Sequence, residues 1–107
     1  NDADTPPMLP LGCCGVISVI SHIAGPPMKQ MMEAFWRNDM ETARRIHLQL
    51  LPVAAALFPP TRSNPAPVKT GLRLQGFDCG GLRLPLVETT AAEEQALQNA
   101  MQAAGLL

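Results

Sequence analysis

Few side chains in this 107-residue chain could carry out a reaction, and their types and spacing limit which one. Lys29 and Lys69 are the only lysines, and a lysine amine is the group that forms a Schiff base with a carbonyl substrate. That chemistry needs a desolvated amine, and both lysines fall on helical stretches. Lys29 lies on a polar side, and Lys69 reads as a helix-surface or interface lysine. His22 follows an apolar stretch read as a strand and would face the mouth of a site, although a satisfied loop histidine is the plainer reading. His47 lies on the apolar side of a helix and reads as packed. Cys13, Cys14 and Cys79 are odd in number, and an adjacent pair rarely meets disulfide geometry. No C-x-x-C pair exists to hold zinc. The cysteines therefore read as small buried residues of a reducing compartment.

The elements that must position these groups follow from punctuation and period. Asp4 or Thr5 caps a short helix with Pro6 and Pro7 in its first turn, ending at Gly12. Residues 15–20, Gly-Val-Ile-Ser-Val-Ile, form the one clear strand, apolar enough to be buried on both faces as in a helix-covered parallel sheet. A lone strand cannot satisfy its own backbone, so its partner strands belong to another chain or to a portion not included here. Gly25-Pro26-Pro27 breaks the chain, and a helix follows from Pro27 to Arg37 with Met28, Met31, Met32 and Phe35 on one stripe. Asn38 or Asp39 caps the next helix, with Glu41 completing a capping box, and Met40, Ala43, Ile46, His47, Leu50 and Leu51 facing inward. Pro52 should kink it. Asn64 caps a helix with Pro65 at its first position, ending at Gly76. Residues 80–86 are an extended connector, and Thr90 with Glu93 makes a capping box for the last helix, which ends at Gly105.

Composition narrows the function classes. Hydrophobic residues make up 47% and charged residues 16%, a globular balance. Eight basic against nine acidic residues give a net charge of -1, which provides no field for a nucleic-acid backbone. No apolar run approaches the roughly 20 residues of a membrane span, and no leader pattern is read at the start. The opening without Met, the lone strand and the eleven prolines together suggest a piece of a larger α/β protein.

Several segments, taken in order, resemble the dihydrodipicolinate synthase family. Gly15-Val16-Ile17-Ser18-Val19 is similar to that family's eighth barrel strand, and Asn1-Asp2 to the end of the Gly-Asp-Asp turn after strand seven. Ser21-His22-Ile23-Ala24-Gly25 resembles a variant found in part of the family. Ile46-His47-Leu48-Gln49-Leu50-Leu51-Pro52 resembles its helix with an internal proline. Ser63-Asn64-Pro65-Ala66-Pro67-Val68-Lys69 resembles its Asn-Pro-Ile-Pro-Val-Lys segment, where sialic acid lyases and keto-deoxy-sugar aldolases look different. Residues 81–86 and the ending Ala104-Gly105-Leu106-Leu107 also match. Ala66 departs from the usual isoleucine, Thr61-Arg62-Ser63 from an acidic lead-in, and Cys13-Cys14 from small residues.

The resemblance implies an α/β fold: the C-terminal part of a (β/α)8 TIM barrel. Residues 1–38 would hold helix seven, strand eight and helix eight, and residues 39–107 a helical C-terminal extension. It further implies a lyase that condenses pyruvate with aspartate semialdehyde in lysine biosynthesis through diaminopimelate. The family's Schiff-base lysine lies on strand six and its proton relay uses tyrosines; this chain has no tyrosine, and its lysines lie elsewhere. The chain alone is thus expected to be inactive, with no catalytic residue of its own. One substrate-binding position carries over, Ile17, beside bound pyruvate at the C-terminal end of its strand. Asp2 would lie near the mouth of the site, with ordinary turn chemistry the plainer role. No cofactor and no metal are expected. A cytoplasmic homo-oligomer, dimer or tetramer, is implied, with neither nucleic acid nor membrane as partner. The rival readings are a sister pyruvate lyase of N-acetylneuraminate or keto-deoxy-sugar type, and a non-catalytic helical module binding through residues 15–20 and 28–35.

Overall fold

A computed structural model describes residues 1–107. The proline-rich start folds as three short turns in series: a 3-10 turn Asp2–Asp4, helix α1 (Thr5–Met8) and a 3-10 turn Leu9–Leu11. Prolines 6, 7 and 10 lack the amide hydrogens that a longer helix would need. Gly12, at φ 97°, closes the series with its N–H donating to Leu9 O at 3.0 Å.

No strand forms within the chain. Residues 14–18 take part in no backbone–backbone hydrogen bond, as expected of a strand whose neighbours are not in this chain. The stretch read as strand also ends early, because Val19 and Ile20 already turn into the next helix. Helix α2 (Ser21–Trp36) therefore begins six residues before the expected Pro27. Ser18 Oγ accepts the Ser21 amide at 2.9 Å, and Ser21 Oγ donates back to Ser18 O at 3.0 Å. This reciprocal pair starts the first turn. The break occurs at Ala24 (φ −138°, ψ 37°), two residues before Pro26, whose ring would clash with a regular turn. Beyond it, Met28 and Met31 are buried and Met32 packs against the core, so the methionine stripe is a packing face.

Helix α3 (Met40–Leu57) is capped by Asp39, whose Oδ1 accepts the Thr42 amide at 3.1 Å. Asn38 sits in the left-handed region at φ 61° and does not cap, so the expected capping box with Glu41 does not form. Met40 is exposed rather than inward, at the first position of the helix, whereas Ala43, Ile46 and Leu50 are buried as expected. Helix α3 continues through Pro52 to Leu57. Helix α4 (Ala66–Leu74) starts one residue later than expected, and Asn64 does not cap it. The need for a cap is small there. Ala66 N–H donates to Ser63 O at 3.1 Å, and Pro65 and Pro67 have no amide hydrogen. The Asn64–Pro65 and Leu84–Pro85 peptide bonds are cis. Gly76 (φ 86°) ends α4 and Gly105 (φ 68°) ends the last helix, as read.

Helix α5 (Ala91–Ala103) carries the complete Thr90–Glu93 capping box. Glu93 also binds the chain leaving α3: it accepts Thr61 Oγ1 at 2.6 Å and Arg62 Nε at 2.9 Å. These bonds, Thr61's first and then the Thr90 amide's, hold the Glu93 carboxyl well below its ordinary range, at about 2. A carboxylate with a depressed folded-state pKa stabilises the fold above its unfolded value, and that contribution is lost as pH falls through the folded value. Urea midpoints should therefore decline between about pH 4.5 and 2. Glu93→Gln should lower the neutral-pH midpoint and flatten this decline; an unchanged slope in the variant would contradict the assignment.

The four longer helices close on one core that includes Ile20, Ile23, Met31, Val53, Leu57, Leu97 and Met101. Helix α4 meets its neighbours at Gly71, where an added Cβ would lie 3.2 Å from Ile23 Cγ2 and 3.6 Å from Leu97 Cδ2. That close approach explains a glycine inside a helix, which otherwise costs about 1 kcal/mol against alanine.

Candidate functional site

The unpaired segment 14–18 and the turn after it gather several of the residues singled out from the sequence. Ile17, the expected substrate contact, is fully exposed at 104% of its reference surface. Nothing in this chain covers it. An open cleft of about 300 Å³ beside it is lined by Asn1, Thr5, Met8, Cys13, Gly15 and Val16 as well as Ile17. The N-terminal turns thus lie along the segment.

The turn at residues 18–22 is tied down on several sides. A strand passing into a helix leaves amides without helical partners. Ser18 takes the Ser21 amide, and Asp2 takes the two before it. Asp2 Oδ2 accepts Val19 N–H at 3.0 Å and Ile20 N–H at 3.3 Å. His22 is exposed in the first turn of α2 rather than in a loop, and its Nδ1 donates to Val19 O at 2.9 Å, so it is satisfied by its own turn. Asp2 is more than the turn residue read from the sequence. It is 6% exposed, and its Oδ1 has no hydrogen-bond partner in the chain. No local signal reveals this, because the amides it holds lie 17 and 18 residues further on.

The remaining candidates lie elsewhere. Lys29 is exposed and pairs with Glu33 at 3.7 Å. Lys69 is half-buried on α4, and its ammonium group donates to three carbonyls: Cys79 at 3.3 Å, Gly80 at 3.2 Å and Gly81 at 2.7 Å. All three protons are engaged, so Lys69 is a tether for the connector and not an available amine. Lys69→Met should make proteolytic cleavage between Phe77 and Val87 about tenfold faster. An unaltered cleavage rate would show that the connector is held by something else. His47 is half-buried, as expected of a packed histidine, and burial lowers its pKa. The cysteines are free thiols, but they are not buried as expected: Cys14 is exposed and Cys13 and Cys79 are intermediate. Cys14 belongs to the unpaired segment, which has nothing packed over it. No group of histidine, cysteine and acidic residues is arranged to hold a metal, and no helix is long and apolar enough to cross a membrane.

A β-branched segment without a ladder, flanked by helical turns and followed by helices, superposes on TIM-barrel proteins, and the chain is a C-terminal fragment of such a barrel. The sequence model of the dihydrodipicolinate synthetase family matches residues 1–104, and the chain belongs to that family. It is 50% identical over 98 residues to 4-hydroxy-tetrahydrodipicolinate synthase 2 of Halalkalibacterium halodurans, covering 92% of this chain and 33% of that protein. It is 45% identical to the 4-hydroxy-tetrahydrodipicolinate synthase of Desulforamulus reducens over 107 residues, all of this chain and 36% of that one. The crystal structure of dihydrodipicolinate synthase from Thermotoga maritima superposes with a TM-score of 0.93 at 38% identity, over 100% of this chain and 36% of that one. The chain thus spans about a third of its relatives' length and matches a C-terminal part of them.

Proposed function

We propose that this chain supplies the eighth strand, the following helix and the helical extension of a pyruvate-dependent Schiff-base lyase. That enzyme condenses pyruvate with aspartate 4-semialdehyde on the diaminopimelate route to lysine. The observation that carries the reading is the juxtaposition of family membership with a strand segment left unpaired and an Ile17 left uncovered. In this reading Ile17 forms one wall of the pyruvate pocket, at the C-terminal end of its strand, where barrel enzymes build their sites. Residues 1–38 complete the barrel and residues 39–107 form the extension. The nucleophilic lysine and a proton-relaying tyrosine come from the other strands, and a second tyrosine comes from a neighbouring subunit. The two lysines here are engaged with Glu33 and with the connector carbonyls, and the chain has no tyrosine. The chain alone is therefore inactive. The complete enzyme works in the cytoplasm as a homo-oligomer and needs no cofactor, because a protein lysine supplies the electrophilic imine.

The test is an enzyme in which residues 1–107 replace the matching part of the Desulforamulus reducens relative. It should condense pyruvate with aspartate semialdehyde. Cleavage of N-acetylneuraminate or a keto-deoxy acid instead would move the chain to a sister activity. A folded enzyme with neither activity would overturn the reading.

A further inference from the structure

We infer that Asp2 is a positioning residue of the pyruvate site, acting through the backbone of the turn that follows strand eight. The inference rests on the reading of Ile17 given above.

A carboxylate is costly to bury, and one with a single satisfied oxygen is more so. Asp2 is nonetheless buried, with Oδ2 between the Val19 and Ile20 amides and Oδ1 without a partner in the chain. Helix formation does not require this arrangement, since Ser18 already caps the first turn of α2. What the Asp2 bonds add is a link between two segments distant in sequence. The turn at Asp2–Asp4 is fastened to the end of the segment that carries Ile17, only two residues before Val19.

Asp2 does not reach a substrate from its other side. The cavity it lines, with Ile20, Met28, Met31, His47 and Leu50 among its walls, measures about 10 Å³. That is about the size of one water, too small for pyruvate or an aldehyde. The carboxylate therefore faces the core, away from the Ile17 cleft, and its influence on that cleft runs through the main chain. The two backbone N–H bonds to one carboxylate oxygen, at 3.0 and 3.3 Å, are charge-assisted, and two from one oxygen fix both the position and the direction of the turn. The negative charge also sits at the N-terminal end of α2, where the aligned peptide dipoles favour it.

Active-site geometry is sensitive at this scale, since a displacement of about 1 Å can cost a hundredfold in rate. The test uses the enzyme assembled with the Desulforamulus reducens barrel portion. Asp2→Ala should raise the KM for pyruvate about tenfold while the KM for aspartate semialdehyde stays within about twofold, and hydrogen exchange at the Val19 and Ile20 amides should quicken. Asp2→Asn, which keeps an acceptor oxygen in the same place, should restore most of the pyruvate KM. If the Ala variant is too unstable to assay, the Asn variant decides by a smaller rise confined to pyruvate. A lowered melting temperature with both KM values unchanged would make Asp2 merely structural and overturn the inference. An inactive assembled enzyme with Asp2 intact would instead defeat the pyruvate reading, and the site that Asp2 positions would go with it.

Discussion

Ile17→Asp, placed in the assembled enzyme, should raise the KM for pyruvate by about a hundredfold or more. A second carboxylate beside the substrate's own costs several kcal/mol, and about 2.7 kcal/mol already amounts to a hundredfold. The same substitution in the isolated chain should leave helix content and the urea midpoint unchanged, because Ile17 is fully exposed there and touches none of the core. The pair of measurements separates a substrate contact from a folding residue. Ile17→Val, which keeps the branched shape, should leave the KM within a few fold. An Ile17→Asp enzyme that binds pyruvate normally would remove Ile17 from the pocket.

The second large effect concerns stability. Leu97 is fully buried on α5, where it meets Gly71 of α4, and its side chain belongs to the cluster that joins α2, α3 and α5. Leu97→Ala should destabilise the chain by about 2–5 kcal/mol, the sum of lost transfer energy and the cavity left behind. With a urea dependence of about 1–3 kcal/mol per molar, the midpoint should fall by about 1–2 M. A loss under about 1 kcal/mol would mean that the helices close over the gap. The packing at Gly71 argues against this, because Ile23 already stands 3.2 Å from where a Cβ would be.

The sequence announces the elements whose causes are local. The Thr90–Glu93 capping box, the glycine stops at Gly76 and Gly105, and the methionine stripe at Met28 and Met31 all appear as read, because each depends on residues within one or two turns. The apolar run at residues 15–20 does not form the strand read for it, but its want of backbone partners within the chain is legible in the sequence. What sequence patterns miss is tertiary. The start of α2 at Ser21 rests on a reciprocal serine pair, and the turn just before it is held by Asp2, 17 residues before Val19. Asn64 carries the composition of a cap, but its helix has few free amides to satisfy. Lys69 reads as a surface lysine until the chain folds and brings the carbonyls of residues 79–81 around its amine. The role proposed for Ile17 comes only from the resemblance to the family's strand motif, since an isoleucine in an apolar run carries no chemical mark of its own.

Recovery of activity from two separate pieces tests the central claim most directly. Residues 1–107 would be mixed with the barrel portion of the Desulforamulus reducens relative that precedes them, and condensation of pyruvate with aspartate semialdehyde would be followed. Each piece alone should be inactive, and the mixture should form a stoichiometric complex that is active, because each supplies strands and site residues that the other lacks. A stoichiometric complex with no condensation, or two pieces that never associate, would contradict the assignment of this chain as the closing portion of that enzyme.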